Sequence, residues 1–229
     1  MPRPSRLVVS CFILAFCSLN YEFLLAQMMA ILGGHTVLFY CLTIGIYIFA
    51  LGMGSIIGVE GLPEDRVQRR LYTVELLLCA LGGGAPVWMI GIGAGLEALN
   101  NHVPPPIYVS LLPHAALVIA IGILSGMELP LLLRLAEIRG MKNLVTRLMA
   151  VDYFASFFGA ISFPLFFFPT LGIVRAASML AMFNLMAIAL VVPLPTREWR
   201  FYVTASTLVL TLAMYVGSTS LGSWLSGML

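Results

Sequence analysis

Residues 7–32 read LVVSCFILAFCSLNYEFLLAQMMAIL, an unbroken apolar run with one charged residue, Glu22, in its second half. Twenty-six residues at about 1.5 Å each exceed the roughly 30 Å hydrocarbon core of a bilayer, so the run reads as a membrane-spanning helix. Arg3 and Arg6 ahead of it imitate a secretory leader. The run is longer than a leader's apolar core, holds a carboxylate and lacks a clear small-residue cleavage site, so it is expected to remain as the first span.

The rest of the chain continues this pattern. Of its 229 residues 61% are hydrophobic and only 10% charged, with a mean hydropathy of +1.02. Globular domains carry about 25% charged residues. Such a chain uses lipid as its solvent, and its long continuous runs specify helices rather than the short alternating strands of a barrel. Seven transmembrane spans are predicted, at about 7–32, 36–58, 72–97, 107–133, 147–168, 173–194 and 201–221, forming one all-α polytopic domain over 1–229.

Charge sets the expected orientation. Arg3 and Arg6, Arg66, Arg69 and Arg70, Arg134, Arg139, Lys142 and Arg147, and Arg197 and Arg200 all fall on one side of these spans, and only Arg175 on the other. The positive-inside rule places the N-terminus in the cytoplasm and the C-terminus outside, in an inner (plasma) membrane. Tyr108, Trp199, Tyr202 and Trp224 stand near the expected interfaces, where aromatic anchors belong. The 59–71 segment reads as a solvated connection. A net charge of +2 offers no basic surface for nucleic acid.

Several features read as packing. Gly54 and Gly58, Gly91 and Gly95, and Ala155 and Gly159 have the spacing that lets helix backbones approach closely. Gly91-Ile-Gly-Ala-Gly95 lacks the preceding strand that a nucleotide-binding loop needs. Cys11, Cys17, Cys41 and Cys79 show no metal-binding spacing and are expected to be buried as small apolar residues. Nothing fixes a spacing among His35, His102 and His114 that would hold a metal. No catalytic set and no cofactor site is expected.

Chemistry is concentrated in four acids, Glu22, Glu75, Glu128 and Asp152, each inside an apolar stretch. A carboxylate in hydrocarbon costs roughly 2.5–3.5 kcal/mol on insertion scales, so it usually faces the bundle interior with a partner. Glu22 lies about fifteen residues into its span, roughly 22 Å from the inner edge at helical rise. Glu75, Glu128 and Asp152 are expected in one cytoplasmic-side layer, with Arg134 and Arg147 as ion-pair partners. Arg175, Gln27, Asn20 and Asn184 are the polar groups that Glu22 is expected to reach. Pro130 removes a hydrogen bond to Gly126, so a kinked or opened segment is expected beside Glu128. The acids read either as structural ion pairs or as a site for a cation or proton.

Two groups of residues carry a resemblance. One is Tyr21-Glu-Phe-Leu-Leu-Ala-Gln-Met-Met-Ala-Ile-Leu-Gly33 with Ile46-Tyr-Ile-Phe-Ala-Leu-Gly-Met-Gly-Ser55. The other is Gly126-Met-Glu-Leu-Pro-Leu-Leu-Leu-Arg-Leu135, Asp152-Tyr-Phe-Ala-Ser-Phe-Phe-Gly-Ala160, Phe163-Pro-Leu-Phe-Phe-Phe-Pro-Thr-Leu-Gly172 and Asn184. Together they resemble the transmembrane region of membrane-bound spermidine synthase-like proteins. In that family a multi-helix membrane region precedes an aminopropyltransferase domain. Gln27 stands where family members often carry arginine, which removes a neighbour expected for Glu22. The family's glycine-rich cofactor loop and acidic catalytic residues have no counterpart here, so the resemblance implies a polyamine-related membrane module rather than an enzyme. Such a module would anchor or serve an aminopropyltransferase-like or membrane partner and present its acids to a cationic amine. The sequence leaves open two other readings: a transporter or exporter of a small cation or lipid-like solute, and a structural subunit that packs through its glycine faces.

Overall fold

The computed structural model describes residues 4–57, 61–100 and 107–191, and these are helical. Helix α1 spans Pro4–Gly33, α2 Thr36–Ile56, α3 Glu64–Leu81, α4 Ala85–Leu99, α5 Ile107–Ile138 and α6 Lys142–Ser162. A π-helical segment, Phe163–Leu171, leads into α7, Gly172–Val191. Among the described residues, four stretches are long and apolar enough to cross a membrane: Pro4–Gly33, Thr36–Ile56, Leu111–Ile138 and Asn143–Val191. The α3–α4 pair makes a fifth if it counts as one bent span. The expected seventh span at 201–221 lies outside the described residues, as do His102, Trp199, Tyr202, Trp224 and the Tyr108 side chain.

Helix α1 is the hub. It packs on α2, α4, α5, α6 and α7. The Tyr47 hydroxyl reaches the Ser18 carbonyl at 3.1 Å and the Phe23 ring meets Tyr40, so α2 runs antiparallel to α1. Ser10 donates to the Ala187 carbonyl at 2.7 Å and the Cys17 thiol to the Leu180 carbonyl at 3.6 Å, so α7 is antiparallel to it as well. Cys11 donates to the Leu148 carbonyl near the start of α6, whereas Gly159 meets Phe16, Leu19 and Asn20. Helix α6 therefore runs parallel to α1, and the chain reverses before α7. Gly172, at a φ of 69°, takes the left-handed region that favours glycine at this join.

Small residues set the closest contacts. A Cβ on Gly126 would overlap the Leu51 carbonyl, and one on Gly54 the Ile123 carbonyl, so α2 and α5 touch backbone to backbone. Gly159 with the fully buried Ala155 does the same for α6 against α1. Gly91 and Gly95 do not: a Cβ at either would meet nothing within 4 Å. Their spacing alone does not place them on a packed face.

The predicted third span is two helices. Its chain breaks at Gly82-Gly83-Gly84 and bends by 55°. Added Cβ atoms there would lie 2.9 Å from the Tyr21 ring and 2.7 Å from the Ala181 Cβ, so the glycines also admit α1 and α7. The predicted 59–71 connection is shorter than expected, because α3 starts at Glu64. Val67 and Leu71 are fully buried on its inner face. Glu64 and Asp65 occupy the first turn, where negative charge suits the helix N-terminus. Helix α5 runs on to Ile138 and stops at Gly140, where Met141 donates back to the Ala136 carbonyl at 2.9 Å. Helix α5 continues through Pro130, whose missing N–H withholds the usual donor from the Gly126 carbonyl.

Candidate functional site

Three of the four acids line one cavity. Glu22 comes from α1, Glu128 from α5 and Asp152 from α6, around a volume of about 360 Å³. Ser18, Ser55, Ser125 and Ser156 add hydroxyls, and Gly126 and Pro130 form part of the wall. Glu22 and Glu128 are each 4% exposed, while Asp152 is half-buried, so the rim lies toward α6 and the exposed end of α2 at Gly52 and Ser55. Among the described residues no lysine, arginine or histidine lines the cavity.

Helical spacing explains why these groups converge. Ser18 precedes Glu22 by four residues, Ser125 precedes Glu128 by three, and Ser156 follows Asp152 by four. Residues three or four apart share a helix face. Each carboxylate therefore carries a hydroxyl one turn away on the same side. Tyr47, fully buried on α2, ties two of these serines together: its hydroxyl lies 3.0 Å from Ser125 Oγ and 3.1 Å from the Ser18 carbonyl. The serines and Tyr47 were not among the residues singled out from sequence, although their spacing from the acids was readable there.

The fourth acid lies behind the wall. Glu75 of α3 is fully buried beside Glu128 and does not line the cavity. Of the expected layer, Glu75 and Glu128 stand against each other; Glu22, expected apart, lines the same cavity as Glu128 and Asp152, from which Glu75 is walled off. Asp152 and Glu128 still interact electrostatically across the site.

The expected ion pairs do not form. Arg134 pairs with Glu137 on its own helix at 3.3 Å, not with Glu128. Arg147 is exposed on α6 and makes no ion pair with Asp152. Six residues place Arg134 about 240° round the helix from Glu128, and five place Arg147 about 140° from Asp152. Arg139 pairs instead with Glu64 at 2.8 Å, joining the end of α5 to the start of α3. Arg175 lies half-buried early in α7, and the Cys17–Leu180 register brings it to about the level of Glu22.

Other candidates resolve differently. Asn20 turns back to the Phe16 carbonyl at 2.8 Å, and Asn184 is fully buried on α7. Gln27 is half-buried and does not line the cavity. His114 is buried, with its Nε2 at 3.0 Å from the Met89 carbonyl, which fastens α5 to α4. His35 is exposed, and among the described residues no group of three metal-ligating side chains comes together. Cys11, Cys17 and Cys79 are buried and free, but Cys41 is exposed, against expectation.

With this geometry in view, the comparisons with known proteins gain a physical setting. The chain is 30% identical, over 93% of its length, to a polyamine aminopropyltransferase of Leptospira interrogans, of which it spans 40%. It is 33% identical over 78% of its length to polyamine aminopropyltransferase 2 of Ralstonia nicotianae, spanning 33% of that protein. Over most of its length the chain is similar to proteins named polyamine aminopropyltransferase. Similarity to polyamine aminopropyltransferase 1 of Streptomyces coelicolor is of the same order, 33% identity over 81% of the chain and 33% of that protein. The chain therefore spans a third to two-fifths of the relatives it matches. No family model and no solved structure matches it. The spermidine synthase-like resemblance read from Tyr21–Gly33 and Asp152–Ala160 agrees with these relatives.

Proposed function

We propose that this chain is a membrane module of the polyamine aminopropyltransferase type, and that its carboxylate-lined cavity binds a cationic amine. The observation that carries the reading is the cavity itself. Glu22, Glu128 and Asp152 converge there with four serines and, among the described residues, no basic side chain. A polyamine is a flexible polycation whose ammonium groups donate hydrogen bonds. Carboxylates would match its charge, and serine hydroxyls would accept the remaining N–H groups. About 360 Å³ lies within the usual range for small-molecule sites, roughly 300–1,000 Å³. The relatives' name supplies the substrate class by analogy.

In this reading the module lies in an inner membrane with its N-terminus on the cytoplasmic side. It anchors or serves an aminopropyltransferase-like partner and delivers amine to it. The test is a spermidine-dependent thermal shift on detergent-purified protein, paired with a native pull-down. A ligand that binds only the folded state raises the melting temperature. A shift that is lost in Glu22→Gln and Asp152→Asn supports the amine site. No shift with any polyamine, together with a tight stoichiometric protein partner, would leave an anchor or structural subunit and end the amine-site reading.

One observation favours a second reading, transport. The α3–α4 pair is broken and bent by 55°, and discontinuous membrane helices mark many transporter sites. Proteoliposomes loaded with radiolabelled spermidine separate the two readings. A binding module holds amine without moving it across the bilayer, whereas a transporter equilibrates it.

A further inference from the structure

Behind the cavity wall is a set of buried polar groups that the amine reading does not use. Glu75 is 0% exposed, and no side-chain or backbone donor reaches its carboxyl oxygens; the group they meet is the carboxyl of Glu128. Glu128 stands beside it, and its Oε1 is equally buried and unpartnered. The Tyr21 hydroxyl, from α1, is the third such group: it belongs to a fully buried residue, lacks a partner and lies within electrostatic reach of both carboxyls. Asn184 of α7 is a fourth, with both amide atoms unpartnered. The hydrogen bond from Cys79 to the Ala181 carbonyl, at 3.2 Å, sets the α3–α7 register and puts Asn184 near the level of Glu75.

Buried polar groups are nearly always satisfied, and orphans in a native fold call for an explanation. Buried polar groups from four helices thus lack donors or acceptors in the interior. Glu75 and Glu128 face each other with no donor between them, so what joins them is a cation, in its simplest form a proton shared by the two carboxyls. Among the described residues the titratable groups facing the pair do not supply it. They are Cys11, Cys17 and Tyr21 from α1, Tyr47 from α2, Cys79 from α3 and Asp152 from α6. Each is neutral or acidic. From α7, Asn184 is the polar group at this level, while Arg175 lies about two and a half turns earlier. No third metal-ligating acid, cysteine or histidine completes a metal site among the described residues. A set of two carboxyls, a phenol and an amide suits a small monovalent cation, and carboxyls of this kind carry protons or sodium ions in membrane proteins.

Glu128 connects this region to the cavity, since it lines the cavity and also touches Glu75. We propose that Glu75, Glu128 and Tyr21 form an inner site for a small monovalent cation, a proton or a sodium ion, and that Glu128 couples its occupancy to amine binding in the cavity. The inner site stands on its own geometry; the coupling rests on the amine-binding reading. A cation held at Glu75–Glu128 offsets the charge that an ammonium group would otherwise meet at Glu128. The two ligands then oppose each other, and linkage requires that each weaken the other by the same factor. With one-for-one exchange, the amine dissociation constant rises about tenfold for each tenfold rise in the competing cation above its own dissociation constant.

The experiment is a spermidine titration on the purified full chain, first across pH at fixed sodium, then across sodium at fixed pH with choline chloride holding ionic strength. Wild type should lose about tenfold in affinity per tenfold rise in one of these cations, and which one identifies the ion. Glu75→Gln keeps the cavity lining intact and should bind spermidine with that dependence removed. A pH slope that persists in Glu75→Gln belongs to Glu22 and Asp152 instead and overturns the proposal, as does a wild-type affinity that ignores both cations. Tyr21→Phe is the second variant: it should weaken the cation dependence without abolishing spermidine binding, and serves if Glu75→Gln does not fold. If wild type binds no spermidine, the amine reading fails and the inner site is judged alone. Then a sodium- or pH-dependent rise in melting temperature that is lost in Glu75→Gln or Tyr21→Phe supports it, and an unchanged or absent shift rejects it.

Discussion

Glu22 of α1 and Asp152 of α6 line the same cavity, each with a serine one turn away on its own helix, Ser18 and Ser156. In the proposed amine-binding reading, the two carboxylates face one ammonium group from neighbouring helices. Hydrogen bonds to charged groups contribute about 1.5–3 kcal/mol each, so neutralising either acid should weaken spermidine binding by about tenfold or more. Calorimetric titration of Glu22→Gln and Asp152→Asn measures this. The double variant should lose less than the product of the two if both acids hold one ammonium group.

The hydrogen bonds of Tyr47 give a stability prediction that leaves cavity charge untouched. Its hydroxyl meets Ser18 on α1 and Ser125 on α5. Interhelical hydrogen bonds in membrane proteins average about 0.6 kcal/mol. Tyr47→Phe should therefore destabilise the bundle by roughly 1 kcal/mol, read as a lower denaturation midpoint in detergent.

Glycine substitutions should separate packed from open faces. Gly126→Val drives a side chain into the Leu51 backbone, which cannot move aside as a side-chain end would. A loss of about 1–3 kcal/mol or more, or failure to fold, is expected from such overpacking. Gly91→Ala, with nothing within 4 Å of the added carbon, should leave stability unchanged or raise it slightly by improving helix propensity. Thermal melts of the two variants side by side test both statements.

The Arg139–Glu64 pair should break asymmetrically. The Arg139 side chain is 5% exposed and that of Glu64 41%. Removing Glu64 strands a guanidinium that is largely shielded from water; removing Arg139 frees a carboxylate that water can solvate. Glu64→Ala should cost about 1–3 kcal/mol and Arg139→Gln less, with the gap narrowing in high salt. Denaturation of both variants at low and high ionic strength checks the order.

How much of this was legible beforehand depends on direction rather than depth. The four acids stood out because each interrupts an apolar run. Counting residues from the membrane edge gives height, not azimuth. Height puts Glu75 with Glu128 and Asp152, and Glu75 does stand beside Glu128; the faces of the helices, which height does not carry, set Glu75 behind the wall and bring Glu22 into the cavity. The same omission paired Arg134 with Glu128, although six residues carry it to another side of the helix. The serines were readable at spacings of three and four, but hydroxyls are common in membrane helices and gave no reason to choose them. Gly82-Gly83-Gly84 was a visible break inside the predicted third span. Apolarity on both sides hid it, since a hydropathy reading joins what a bend divides.

The central place of α1 also has a consequence for how the protein is made. The Ser10 hydroxyl meets its acceptor in residue 187, separated from it by 177 positions of chain. At synthesis rates of about 5–20 residues per second, that acceptor emerges roughly 9–35 s after Ser10. During this interval α1 is already made, with Asn20 and Glu22 along its length, and α6 and α7 do not yet exist. The helix on which so many later partners pack is the one that waits longest without them. Its polar side chains need shelter in the meantime, and a delay in the emergence of the C-terminal helices prolongs that need.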